Sequence, residues 1–565
     1  MLLCSKAAKQ QKRSIPDPRP SPIAHPHFPA YQWRMPSTPE RTPDNPAGWA
    51  TDPGALVYGL DLSRFADSDG DGFGDLAGAL ARLDHVAELG VTWIWLLPFY
   101  PSLRRDNGYD VDDHLAVDPR FGDLDGLRAF LARAHELGMR VLVDAVPHHT
   151  SDRHPWFLAA REDTDGRAGK FFVWSDDDST EPGDHPMFPG EEESVWTFDE
   201  RAGRYYHHQF YSFQPDINAT DPDVFEELVQ LLSFWLGVGV DGFRIDAALL
   251  LVQGKGRPDT DVDDDEFFDR LRARLRQLRP DVALIAEADE PPEAMAALIE
   301  NDRFDAVIDF SLNNAMFLAL ARGRAQPIVD ALDRLDRSIP AESRLNFVRN
   351  ADELDLSQLS DAEREEVFAA FARDDDDLIY GRGIRRGWAP MLQPAERVRM
   401  TLSLLHALPG VPLLQAGQEL GTGDDLAVEG RGAARTTMQW DDSGWGGFTT
   451  AAESPLTLAA QVDGPFGFRV VNARAQEDDD GSLLTLARGL ARVRRAAHAG
   501  AAGWTTVDVG DPAVLALRRD GLLTLHNLSD REATIEVEDG HSAVLADGWD
   551  GRTLAPYGFA WLRST

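Results

Sequence analysis

The sequence predicts an α/β fold: a (β/α)8 TIM barrel with an inserted domain after strand 3 and a C-terminal β-sandwich. Three observations predict it. Short apolar runs of strand length alternate with stretches of helical periodicity through eight units, one long segment after the third run breaks that rhythm, and the final segment alternates at period two. Eight alternating units favour a closed barrel over an open doubly wound sheet. No G-x-G-x-x-G turn follows the first apolar run, which removes the main support for a dinucleotide fold.

The first run is LVYGLDL (56–62), followed by the helical GDLAGALARLDHVAELG with Gly90 as its stop, and then by VTWIWLLP (91–98). DLDGLRAFLARAHELG leads into RVLVDAV (140–146), and PDVFEELVQLLSFWLGVG into VDGFRID (240–246). ALIAEA (283–288), AVIDFSL (306–312), LNFVRN (345–350) and GVPLLQAG (410–417) complete the strands, and LLTLARGLARVRRAAH gives the last helix. Residues 46–149 and 216–501 form the expected barrel. Residues 150–215 form the inserted domain, of the kind that shapes an active site. VLALRRD, LLTLHNL and ATIEVED mark the sandwich, residues 502–565. Residues 1–45 are Pro-rich and basic and read as a flexible arm.

Composition narrows the partners. A formal net charge of −39 over 565 residues argues against nucleic acid and anionic membranes, and leaves a neutral small molecule. Runs such as Asp176–Asp178, Asp374–Asp377 and Glu477–Asp480 read as solvated loops. Cys4 is the single cysteine, so no intrachain disulfide forms. MLLCSKAAKQQKR lacks the apolar core of a signal peptide, and no apolar run is long enough to span a bilayer, so a cytoplasmic location is expected. A homodimer is a further expectation.

Barrel chemistry sits at the C-terminal ends of the strands. Those ends carry Asp144, His148 and His149 after strand three, Arg244 and Asp246 at strand four, Glu287 at strand five, and Asp352 just past strand seven. Arg244 lies two residues before Asp246, so both point to one face of a strand. Asp246, Glu287 and Asp352 are expected to converge with Arg244 and His149. A retaining glycosidase needs such a set: an ionised carboxylate as nucleophile, a protonated one as acid, and a guanidinium that keeps them in different states.

A second candidate site is DSDGDGFGD (67–75). Asp67, Asp69, Asp71 and Asp75 alternate with glycines in a turning loop, which suits a hard cation that takes several oxygens. An EF-hand needs Glu at its twelfth position, where this loop has Gly78. Trp156, Trp174, Trp196, Tyr205 and Tyr206 of the insertion read as core, and His207 and His208 show no metal-ligand spacing.

The motifs NGYDVDDH (107–114), DAVPHHTSDRHPWF (144–157), QPDIN (214–218), DGFRIDA (241–247), IAEAD (285–289), RNADEL (349–354) and ARTTMQW (434–440) resemble those of the α-amylase superfamily. LLPFYPS, FFVWSDD, VWTFD, GIRRGWAP and VNARAQ resemble its trehalose synthases, which convert maltose to trehalose. The resemblance runs from about residue 53 to the C-terminus. It implies Asp246 as nucleophile, Glu287 as acid/base and Asp352 as the carboxylate that grips sugar hydroxyls. It also implies Asp110, His149, Arg244 and Arg435, with Arg431, as substrate contacts, and a structural Ca²⁺ held by Asp67, Asp69, Asp71, Asp75 and the Phe73 carbonyl. No organic cofactor is implied. Three positions depart from the family pattern: Ala351 where it has His, His148 where it has Asn, and Gln418 where it usually has Asp. His148 is expected to substitute in part for the missing ring. The expected function is intramolecular glucosyl transfer, the alternatives being an α-glucosidase or other transglucosidase, and a non-catalytic sugar-binding homologue.

Overall fold

The computed structural model describes residues 54–564 apart from 180–184, 253–263, 452–462, 498–502 and 537–539; the expected N-terminal arm lies outside the described residues. The eight apolar runs form eight short parallel strands: β1 (Val57–Leu60), β2 (Trp93–Leu96), β3 (Arg140–Ala145), β4 (Gly242–Ile245), β5 (Ala283–Ala286), β6 (Ala306–Ile308), β7 (Arg344–Phe347) and β8 (Val411–Gln415). Each pairs with its chain neighbour, and β8 closes on β1 with Val57 opposite Leu413, giving a closed barrel.

Alternation along each strand splits the core in two. Val57, Trp93, Trp95, Leu142, Ala283, Ile285, Leu345 and Leu413 pack together inside the barrel. Their neighbours Tyr58, Ile94, Val141, Phe243, Leu284 and Leu414 face the helices. Asp144, Arg244, Asp246 and Glu287 continue the interior register past Leu142, Gly242 and Ile285, so the period that buries the strands also aims the polar residues inward. Gly242 is required where it stands: a Cβ there would meet the Ala283 carbonyl oxygen at 2.1 Å.

The helices follow their caps. Asp123 accepts from Gly126 N at the start of Leu124–Glu136. Asp221 caps Pro222–Val238, which has Pro at its first turn and stops at Gly239 with φ 124°. The first helical stretch is broken at Arg82 into Leu76–Ala81 and Leu83–Glu88, a kink its periodicity did not signal.

The segment after β3 folds as expected into a small unit, with a three-stranded antiparallel sheet of Trp174–Ser175, Arg204–His207 and Trp196–Asp199. Its aromatics are core: Trp196 packs with Val173, Val195 and Tyr205, and Trp174 stacks on Phe157 at 5.8 Å. A second excursion lies between β7 and β8, where Leu354–Asp355, Leu378–Ile379 and Gly383–Ile384 form another small sheet beside the helix Asp361–Phe371.

The C-terminal module is antiparallel: β9 (Thr505–Thr506), β10 (Val514–Arg519), β11 (Leu522–Asn527), β12 (Ala533–Thr534), β13 (His541–Trp549) and β14 (Thr553–Ser564). Its hydrogen bonds join all six strands into one sheet, with β14 pairing β11, β12 and β13. Leu515, Leu517, Phe559 and Trp561 join the main core, while Val514, Ala516, Leu523 and Leu562 form a separate cluster with Ala533 and Ile535. Among the described residues no helix is long and apolar enough to cross a membrane.

Candidate active site

The C-terminal strand ends open into a cavity with about 1000 Å³ of empty space, open solvent at its mouth included. Asp246, Glu287, Asp352, Arg244 and His149 all line it, as their strand positions predict.

Arg244 is the centre of the charge network. Its Nη1 donates to Asp246 Oδ1 at 2.6 Å and to Asp144 Oδ1 at 2.7 Å, and its Nη2 pairs with Glu287 Oε1. A retaining mechanism wants its two carboxyl groups facing one scissile bond, and one planar guanidinium here contacts both. Tyr109 Oη donates to Asp144 Oδ2 at 2.9 Å and Trp95 Nε1 to the same oxygen at 3.2 Å, so Asp144 is a buried anchor for Arg244 and does not line the cavity.

Backbone contacts fix the two central carboxylates. Asp246 N donates to Ala145 O at 2.9 Å and Glu287 N to Ile245 O at 3.1 Å. Ala247 takes a positive φ of 46°, uncommon for a residue with a side chain, and its amide points to Glu287 Oε2 at 3.3 Å.

The environments push the carboxyl groups apart. Burial raises Glu287 to about 7; Arg244 opposes this, and the charges of Asp246 and Asp352 add to it. Burial also raises Asp246, against the pull of Arg244 and with the push of Asp144. Asp352 is partly buried, and its desolvation also works upward, yet Arg431 and Arg435 hold its carboxyl below the ordinary range. Both donate to Asp352 Oδ1 at 2.7 Å. Glu287 is thus poised near neutrality, as a general acid requires, while Asp246 is raised as well and Asp352 is the carboxyl held ionised.

Some expected contacts sit differently. Asp110 is fully buried and outside the cavity lining; it accepts from Ser102 Oγ at 2.8 Å and from the amides of Arg105 and Asp106 at 3.2 Å, and so shapes the loop after β2. Asp106, one residue before that motif, lines the cavity and pairs with Arg431 Nη2. Arg435 reaches Asp352 from a neighbouring cavity. Sequence points to neither Asp106, which lies just outside the motif, nor Tyr109, whose ring a motif match alone cannot place in the cavity.

The departures also resolve. His148 is buried away from the cavity lining, with Nδ1 at 3.2 Å from His149 Nδ1 and 3.4 Å from Asp216 Oδ1. It therefore does not stand in for the imidazole missing at Ala351, contrary to expectation. His148, His149 and Asp216 do converge as a group of potential ligands, and His207 Nδ1 contacts Asp216 Oδ2 at 2.8 Å, a clustering that chain spacing hides. Gln418 accepts from Gln415 N at 2.9 Å and donates to Arg349 O at 2.9 Å; the ionised Asp expected there would have no proton to donate.

The roof comes from the insertion and the β7–β8 excursion. Phe188 stacks on Tyr211 at 4.5 Å and lies 5.1 Å from Tyr380, and Arg431 sits over the Phe188 ring at 4.8 Å. Arg382 bonds Asp355 at 2.7 Å and the Met187 carbonyl at 3.0 Å.

In the first loop the ligand atoms of Asp67, Asp69 and Asp71 lie within 4.8 Å of one another, a donor set that fits a hard cation. Asp75 stands outside that group. Its carboxylate accepts from Ser68 N and Gly78 N and caps the next helix. Asp67 N donates to Phe448 O at 2.9 Å, which ties the loop to the segment after β8.

The α-amylase catalytic-domain family model matches residues 62–503. The chain belongs to the α-amylase family. It is 36% identical over 510 residues to a trehalose synthase/amylase of Mycolicibacterium smegmatis, covering 86% of this chain and 85% of that protein. It is 34% identical over 552 residues to a trehalose synthase of Pimelobacter sp., covering 90% and 95%. Among solved structures, the trehalulose synthase MutB of Pseudomonas mesoacidophila MX-45 shares the fold with a TM-score of 0.72 at 24% identity, over 92% of this chain and 100% of that one. Like its relatives, this member of the α-amylase family is an enzyme.

Proposed function

We propose that this α-amylase family enzyme converts maltose to trehalose by intramolecular glucosyl transfer. The observation that carries the reading is the pairing of one nucleophile–acid couple, Asp246 and Glu287 on Arg244, with a roof built from two separate segments around Phe188.

Asp246 attacks the anomeric carbon while Glu287 gives its proton to the glycosidic oxygen. This breaks the C–O bond and leaves a β-glucosyl ester on Asp246 and a free glucose in the cavity. Asp352, held ionised by Arg431 and Arg435, grips the hydroxyls of the transferred ring. The released glucose turns beneath the roof, Glu287 takes the proton of its anomeric hydroxyl, and the new C–O bond forms with net retention as the ester bond to Asp246 breaks and frees its carboxylate. Water competes for the same ester, so exclusion of water decides between transfer and hydrolysis.

In this reading Asp67, Asp69 and Asp71 would hold a structural Ca²⁺, which when bound would offset part of the negative charge of the loop before the helix Leu76–Ala81. A cytoplasmic setting belongs to it as well, in keeping with the single cysteine.

Purified protein incubated with maltose tests the reading, with Asp246→Asn as control. Trehalose in excess of free glucose, absent in the control, is expected. Glucose alone would favour the second reading, an α-glucosidase, which draws support from the missing imidazole at Ala351.

A further inference from the structure

Two distant segments meet over the sugar cavity through one guanidinium. Arg382, from the excursion between β7 and β8, donates from Nε to Asp355 Oδ2 at 2.7 Å and from Nη2 to the carbonyl of Met187 in the inserted domain at 3.0 Å. The same Nη2 lies 3.6 Å from the Met187 sulfur. Met187 N donates in turn to Gln209 O at 2.9 Å, so the backbone that carries the thioether is held on both sides. Met187 and Arg382 both line the cavity.

Access sets Met187 apart from its kind. The other methionines among the described residues are all buried, at 4% exposure or less, whereas Met187 is partly exposed. Met1 and Met35 lie outside the described residues. Packing shields a buried thioether from a dissolved oxidant, and the Met187 sulfur lacks that shield. A thioether is apolar and a weak acceptor, but the sulfoxide made from it is polar and its oxygen accepts strongly. With a guanidinium already beside the sulfur, that oxygen would meet a charged donor.

We propose that Met187 is a modification site for peroxides, and that its sulfoxide fastens the roof over the sugar cavity through Arg382. The sulfur lone pair attacks one oxygen of hydrogen peroxide, the O–O bond breaks, and an S–O bond forms as water leaves. Sulfur is oxidised and the peroxide reduced. The new oxygen accepts from Arg382 and adds a side-chain bond to the one through the Met187 carbonyl. Sugars pass this roof to enter and leave, so a firmer roof slows turnover and holds bound sugar longer. The effect is the same whether the product is trehalose or glucose.

The full chain is treated with hydrogen peroxide, and each methionine is followed by peptide mass spectrometry alongside consumption of maltose and of α-glucosyl fluoride. Met187 is expected to gain one oxygen before any buried methionine, and more slowly when maltose fills the cavity of the inert Asp246→Asn variant. Oxidation is expected to lower kcat severalfold with KM falling alongside, and methionine sulfoxide reductases of both epimer specificities to restore them. Met187→Leu should keep its own untreated turnover through the same treatment. Arg382→Gln should be oxidised at Met187 with no further change in its own kinetics. Met187 left unmodified while buried methionines react overturns the proposal. So does an oxidised Met187 with unchanged kinetics, a rise in KM at constant kcat, or an equal loss in Met187→Leu. If the variants do not fold, the peptide map and the reductase reversal on the wild type decide by themselves.

Discussion

Arg431 donates to Asp352 Oδ1 at 2.7 Å and with its other terminal nitrogen pairs with Asp106. One side chain from the loop after β8 thereby fastens the loops after β7 and β2 across the sugar site. Replacing it with an uncharged side chain leaves Asp352 with less counter-charge and Asp106 unpaired. Arg431→Met is expected to lower kcat/KM for maltose by roughly 10- to 100-fold, the loss of one or two charge-assisted hydrogen bonds. Steady-state kinetics on the folded variant check this.

The two central carboxylates are expected to fail in different ways. Asp246→Asn removes the atom that forms the covalent bond, and loses roughly 10⁴-fold or more with any glucoside. Glu287→Gln removes a proton donor, so it also fails on maltose but keeps the first step with α-glucosyl fluoride, whose leaving group needs no acid. Comparing the two variants on both substrates separates nucleophile from acid.

The pH profile follows from the raised carboxyl groups. Glu287 must be protonated to act as acid, and burial sets it at about 7, so activity is expected to fall as pH rises through that value. Asp246 must be ionised, and its raised pKa places the acid limb above the usual carboxylate range. Arg244 pulls both down. A pH series on Arg244→Met is therefore expected to move both limbs to higher pH on a much lower plateau.

Opening the roof should favour water. Phe188→Ala removes the ring that stacks on Tyr211 and lies under Arg431. The fraction of maltose released as glucose is expected to rise severalfold while total turnover changes less, as read by product chromatography.

Chelation is expected to lower Tm by a few degrees without changing the ratio of products, and Asp67→Asn to reproduce that loss, as read by thermal melts with and without added Ca²⁺.

The sequence carried the barrel well, because interior and exterior residues of β1 to β8 differ in partner at period two and several helices have an end signal such as Asp123, Asp221 or Gly239. The strand ends then delivered Arg244, Asp246 and Glu287, whose positions continue that register. What was hidden depends on contacts between distant segments. The choice of Asp106 over Asp110 is made by Arg431, more than three hundred residues away in the chain. His148 is turned to Asp216 and away from the sugar by the insertion. The excursion between β7 and β8 leaves no signal in the sequence, since strands of two residues carry no period.

The central claim is that the cleaved glucose stays in the cavity and becomes the acceptor. Isotope-labelled glucose added to the enzyme with unlabelled maltose tests it directly. Trehalose that forms faster than free glucose and carries little label is the predicted result. Trehalose labelled in proportion to the added glucose, or glucose as the sole product, would contradict it.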